Sequence, residues 1–155
     1  MSWAALLELA KARRAVIATA ESCTGGMISA AITNVAGSSA IFDRGFVTYS
    51  NAAKVEMLGI RPETLDSFGA VSEEIAREMA TGAIARSKAN LAVAVTGIAG
   101  PGGSEHKPEG RVCFAIANRD GCHTETVDFG AIGRAKVREA TVSHALWLLT
   151  QALVP

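Results

Sequence analysis

The chain has 155 residues, 49% hydrophobic and 19% charged, with zero formal net charge. That fits one domain over residues 1–155 with a sizeable core, and with no basic stripe it speaks against nucleic acid as a partner. No apolar run reaches the ~18 residues of a membrane span and no basic, apolar leader opens the chain, so a cytoplasmic protein with no membrane partner is expected.

Ser2 caps a short amphipathic helix carrying Trp3, Leu6, Leu7 and Ala10, with Lys11, Arg13 and Arg14 at its solvated end. Residues 15–20 form a short apolar run, the pattern of a strand buried on both faces. It runs into Glu21-Ser22-Cys23-Thr24-Gly25-Gly26, after which Met27, Ile28, Ala31 and Ile32 predict a helix ended by Asn34 and Gly37. Residues 42–49 alternate as a second strand. Residues 52–58 make a turn or two of helix, stopped by Gly59 and followed by Pro62. Ser72 with Glu73 and Glu74 starts a helix whose buried face is Ile75, Met79, Ala83 and Ile84.

Residues 91–95 predict a third buried strand, running into Thr96-Gly97-Ile98-Ala99-Gly100-Pro101-Gly102-Gly103. Residues 104–109 read as a flexible crossover. Residues 111–118 and 122–129 flank Asp120-Gly121, a hairpin signal. Val137, Thr141, His144, Ala145 and Leu148 close the chain as an amphipathic helix. The expected fold is a three-layer α/β/α domain. Its mixed five-stranded sheet has strands one to three parallel and a C-terminal antiparallel hairpin.

Cys23, Cys113 and Cys122 are odd in number without C-x-x-C spacing, and the three histidines are dispersed. Neither a disulfide framework nor a metal site is indicated, and no cofactor is called for.

Ligands of open α/β sheets bind beyond the carboxyl ends of parallel strands. Three such ends here are polar and glycine-rich: residues 21–26, 48–54 and 96–103. Ser22, Cys23 and Thr24 offer more hydroxyl and thiol groups than one helix cap needs. Gly25-Gly26 lets backbone approach a ligand, and the helix start supplies N–H groups for an anion or oxyanion. If Asn51 caps the helix of residues 52–58, Lys54 falls on its first turn, where the dipole lowers its pKa toward that of a general base. Tyr49, the only tyrosine, stands at a strand end. The glycines of the third segment, Gly97, Gly100, Gly102 and Gly103, can wrap a ligand with amides.

Taken together, these segments resemble the CinA C-terminal domain family, the nicotinamide mononucleotide deamidases. The resemblance rests on Ala20-Glu21-Ser22-Cys23-Thr24-Gly25-Gly26, on Phe46-Val47-Thr48-Tyr49-Ser50-Asn51 with Lys54, and on Thr96-Gly97-Ile98-Ala99-Gly100-Pro101. Ala36-Gly37-Ser38-Ser39, Gly69-Ala70-Val71-Ser72 and Lys107-Pro108-Glu109-Gly110 extend it over nearly the whole chain. Longer members carry a further N-terminal domain resembling molybdopterin-binding proteins, so this chain looks like the stand-alone form.

The resemblance implies hydrolysis of nicotinamide mononucleotide to nicotinate mononucleotide and ammonia, a pyridine-nucleotide salvage step. It implies Ser22 as nucleophile, Lys54 as its partner and Tyr49 as a polar helper. Glu21, Cys23, Thr24, Asn51 and Thr96 are expected around the substrate, and the loop glycines on its phosphate and ribose. Basic residues of the last helix, Arg134 and Arg138, are candidates to complete the site in this subunit or a neighbour, Arg138 above all. A homo-oligomer is expected. Two other readings use the same loops: a cysteine amidohydrolase with Cys23 as nucleophile, and a non-catalytic nucleotide-binding regulatory module of the competence and damage-inducible type.

Overall fold

A computed structural model describes residues 1–155. Its elements in chain order are α1 (Trp3–Ala12), β1 (Ile17–Glu21), α2 (Met27–Thr33), β2 (Phe42–Val47), α3 (Asn51–Leu58), α4 (Pro62–Phe68), α5 (Glu73–Ala85), β3 (Leu91–Gly97), β4 (Arg111–Asn118), β5 (Cys122–Asp128) and α6 (Arg134–Leu153), with a 3-10 turn at Ser38–Ala40.

The strands form one sheet in the order β2-β1-β3-β4-β5. β1 pairs in parallel with both β2 and β3, whereas β3–β4 and β4–β5 are antiparallel. This is the mixed five-stranded sheet expected, hairpin included. The hairpin turn is held by Asn118, whose side-chain oxygen accepts the N–H groups of Asp120 and Gly121. No helix is long and apolar enough to cross a membrane.

Period-two alternation along the central strands divides the core between the two faces. Leu91, Val93 and Val95 of β3 pack with Phe114 of β4 against α1, α2 and α6. Ala92 and Ala94 of the same strand join Ala18, Ala20, Ala115 and Ala117 in a shallow alanine layer under Ile75, Met79 and Ala83 of α5. Small side chains on that face let α5 lie close to the strands. A Cβ at Gly82 of α5 would in turn strike the backbone of Leu58 at the end of α3.

Several boundaries differ from those the sequence predicts. β1 runs to Glu21 and β2 ends at Val47, the Thr48 N–H adding a last ladder hydrogen bond to the Glu21 carbonyl at 2.9 Å before the chain enters α3. Ser50, not Asn51, caps α3, its hydroxyl accepting from the Ala53 N–H at 3.0 Å. Pro62, placed after a helix by the sequence reading, begins one: it occupies the first turn of α4, where its missing N–H and fixed φ suit a helix start. The last helix extends beyond its periodic core, from Arg134 to Leu153.

The topology creates a crevice. After β1 the chain turns through α2 to β2 on one side, while after β3 it turns to β4 on the other. Loops leaving these adjacent parallel strands therefore diverge, opening space above their carboxyl ends.

Candidate active site

A cleft of about 320 Å³ lies at those ends, and its lining includes Ser22, Cys23, Tyr49, Asn51, Lys54, Thr96 and the 97–103 loop. Ser22 follows β1 directly. Its N–H extends the parallel ladder to the Val95 carbonyl at 3.1 Å, so the nucleophile candidate is fixed by the sheet rather than by a mobile loop.

Lys54 is 1% exposed, among the largest fully buried side chains in the protein. Its Nζ lies 3.0 Å from Ser22 Oγ, 2.8 Å from the Thr48 carbonyl and 3.4 Å from the Tyr49 carbonyl. No carboxylate forms a salt bridge with it. Burial therefore pulls its pKa below the usual 10.5, and this outweighs the opposing effects of Cys23 and Glu105. Desolvation, more than the helix dipole invoked from the sequence, favours the neutral amine. A neutral amine has two N–H bonds and one lone pair. Two carbonyls accept the N–H groups, which leaves the lone pair for the Ser22 hydroxyl proton.

Cys23 sits beside Ser22 but is chemically unlike the acidified thiol expected at a helix start. It is 5% exposed, and burial pushes its pKa up to about 11. A thiol held protonated is a weak nucleophile. The Cys23 N–H, by contrast, is accepted by no other residue, and neither are those of Ala99 and Gly100 in the facing loop. These amides belong to residues that line the same cleft as Ser22 and suit an oxyanion.

The remaining first-segment residues stand behind the cleft. Glu21 is fully buried, and its carboxylate accepts from Thr24 Oγ1 at 2.6 Å, Ile28 N at 2.9 Å and Gly26 N at 3.3 Å on one oxygen. The other oxygen accepts from Ser29 N at 3.0 Å and Ser29 Oγ at 2.9 Å. The N-terminal amides of α2 are thus filled by an internal anion and cannot serve a ligand's phosphate. Thr24, also fully buried, belongs to this cap. Gly25 and Gly26 have φ of +56° and +109°, so the tight turn itself requires them. The Gly25 N–H is taken by the Ser22 carbonyl at 3.1 Å and is lost to an oxyanion. None of these four residues lines the cleft.

Arg138 also lies outside the cleft. Its guanidinium donates to the carbonyls of Cys23 at 3.1 Å and Thr24 at 3.3 Å, clamping the turn that carries Ser22. One turn earlier on α6, Arg134 does line the cleft. It donates to the Gly100 carbonyl at 2.7 Å and to Tyr49 Oη at 3.0 Å, joining the second and third segments across the mouth. The Tyr49 ring is 62% exposed there, so its hydroxyl meets Arg134 and neither Ser22 nor Lys54. These contacts of both arginines lie within one chain.

Asn51, as the first helical residue of α3, and Gly97, Gly100, Gly102 and Gly103 line the cleft. Thr96 does so with its hydroxyl committed to the Ala70 carbonyl at 2.8 Å, tying the 69–72 loop to the end of β3. The sequence reading missed Ala70, Val71 and Glu105 as lining residues. A signal for the first two existed in the Gly69-Ala70-Val71-Ser72 segment. No group of three or more His, Cys, Asp or Glu side chains comes together to hold a metal ion.

The model of the CinA C-terminal domain matches residues 2–153. The chain belongs to that family. It is 51% identical over 142 residues, 91% of this chain and 86% of the other, to the nicotinamide-nucleotide amidohydrolase PncC of Escherichia coli strain K12. A protein of the same name from Enterobacter agglomerans is 58% identical over 112 residues, 72% of this chain and 68% of that one. Among solved structures, the competence/damage inducible protein CihA of Agrobacterium tumefaciens superposes with a TM-score of 0.89 at 50% identity, covering 96% of this chain and 94% of that one. A CinA superfamily protein of Escherichia coli gives 0.94 at 37% identity, covering 97% and 88%.

Proposed function

We propose that this protein is an amidohydrolase that converts nicotinamide mononucleotide to nicotinate mononucleotide and ammonia, a pyridine-nucleotide salvage step. The observation that carries the reading is a buried, unpaired Lys54 amine 3.0 Å from the Ser22 hydroxyl at the floor of a cleft. Relatives named nicotinamide-nucleotide amidohydrolases supply the substrate class.

In the proposed reaction neutral Lys54 takes the Ser22 proton as Oγ attacks the carboxamide carbon. The oxyanion forms against the amides of Cys23 and the 97–103 loop. Protonated Lys54 returns its proton to the amide nitrogen, the C–N bond breaks and ammonia leaves an acyl-Ser22 ester. A water molecule, deprotonated by Lys54, then hydrolyses the ester and frees the carboxylate.

Of the two charged side chains other than Lys54 that line the cleft, Arg134 is the cation. It is therefore the natural partner for the substrate phosphate, a role the sequence reading gave to glycine pairs. Ammonia release from nicotinamide mononucleotide by the purified protein tests the reading, with nicotinate mononucleotide as co-product and activity retained after exhaustive chelation. Binding of the mononucleotide without turnover would instead favour a sensor module, and a cysteine mechanism is opposed by the raised Cys23 pKa.

A further inference from the structure

Besides Lys54, the cleft is lined by one fixed cation, Arg134, and one carboxylate, Glu105. The residues 104–109, expected to be a loose crossover, are organised. Ser104 and Lys107 exchange backbone hydrogen bonds at 3.0 and 2.8 Å, and Glu105 and His106 between them adopt φ of +51° and +65°. Non-glycine residues rarely take such angles, and the turn they make leaves Glu105 exposed at the cleft lining. Lys107 anchors the turn by donating to the carbonyls of Phe68, at 2.7 Å, and Val71.

The 69–72 loop is shaped to receive that carboxylate. Gly69 lies directly beneath it, and a Cβ at this position would collide with Glu105 Oε2. Lys107 Nζ flanks the same Gly69 position but donates to the Phe68 and Val71 carbonyls, and no Lys, Arg or His forms a salt bridge with Glu105. Its charge nevertheless reaches the reacting end of the cleft, where it acts on the Lys54 amine. The cleft thus presents a negative group on the 104–107 turn and a positive group at the start of α6.

We infer that Glu105 is a specificity residue that recognises the positive charge of the ligand's aromatic ring, while Arg134 takes its phosphate. This inference rests on the reading of the cleft as a pyridinium nucleotide site. A quaternised pyridine ring bearing a ribose phosphate carries the same two charges in complementary order. A neutral ring in the same place offers Glu105 no opposite charge.

The test uses the full chain carrying Ser22→Ala, which cannot turn the ligand over, and calorimetric binding of two isosteres. One is nicotinamide mononucleotide. The other is the 3-carbamoylphenyl C-ribotide, in which carbon replaces the charged ring nitrogen. The cationic ligand should bind roughly fivefold more tightly, the upper range for a partly exposed ion pair. Adding Glu105→Gln should bring the ratio close to one, chiefly by weakening the cationic ligand. An unchanged ratio in the Gln variant, or no preference in the parent, overturns the inference. If the wild-type protein releases no ammonia while the charge preference and its loss are both seen, the deamidase reading fails and this inference stands.

Discussion

Lys54 Nζ and Ser22 Oγ stand 3.0 Å apart, and the lysine reaches this position by burying its entire side chain without a carboxylate partner. A buried ammonium with no counter-ion is costly, and the protein avoids that cost by favouring the neutral amine. The arrangement that stability disfavours is the one a general base requires.

The pH dependence has a definite sign. Burial lowers the Lys54 pKa from 10.5, and only the neutral amine accepts the Ser22 proton. The rate kcat should therefore rise with pH through the lowered pKa and level off above it. Lys54→Arg keeps the charge but offers no neutral amine, so it should lose nearly as much kcat as Lys54→Ala. Stability follows the same linkage. Between the lowered pKa and 10.5 the unfolded chain binds more protons, so unfolding free energy should climb with pH across that window. Urea unfolding at a series of pH values should show that slope in wild type and its flattening in Lys54→Met.

Substrate phosphate recognition should follow Arg134. Nicotinamide riboside should be a poorer substrate than its phosphate, since a charge-assisted contact contributes about 1.5–3 kcal/mol, roughly ten- to hundredfold. Arg134→Ala should lower kcat/KM for the mononucleotide by a similar factor and leave the riboside nearly unaffected. Equal losses on both compounds would assign Arg134 to holding the Tyr49 and Gly100 loops alone.

Glu21 should be a stability residue. Its carboxylate accepts five hydrogen bonds in the interior. Glu21→Ala strips the α2 amides of their acceptor and should destabilise by about 3–5 kcal/mol, in the range for breaking a buried charged network. Chemical denaturation measures this directly. A loss below about 1 kcal/mol would show that water replaces the carboxylate.

Arg138→Gln should lower kcat more than it raises KM, because it loosens the turn holding Ser22 without touching the cleft wall. Steady-state kinetics on the mononucleotide distinguish this from a binding role, in which KM would carry the change.

The parts of this architecture legible in the sequence are those set by local pattern. The apolar runs of β1 and β3, the Ser2 and Ser72 caps and the Asp-Gly hairpin each depend on near neighbours. The polar segments that carry Ser22, Lys54 and Thr96, each following a strand, are legible for the same reason. Other assignments depended on distant partners. Gly25-Gly26 reads in sequence as a ligand approach, whereas in the fold Glu21 occupies the adjoining amides. Arg134 and Arg138 lie four residues apart on one helical face, and spacing alone cannot tell which reaches the cleft. Glu105 was hidden because its turn is held by Lys107 reaching the 68–71 backbone.

The most direct measurement is ammonia release from nicotinamide mononucleotide by wild type, Ser22→Ala and Cys23→Ala, each checked for folding by circular dichroism. Turnover is expected from wild type, none from Ser22→Ala despite retained mononucleotide binding, and substantial turnover from Cys23→Ala, whose backbone N–H remains. Activity that survives in Ser22→Ala and vanishes in Cys23→Ala would contradict this assignment and make the thiol the nucleophile.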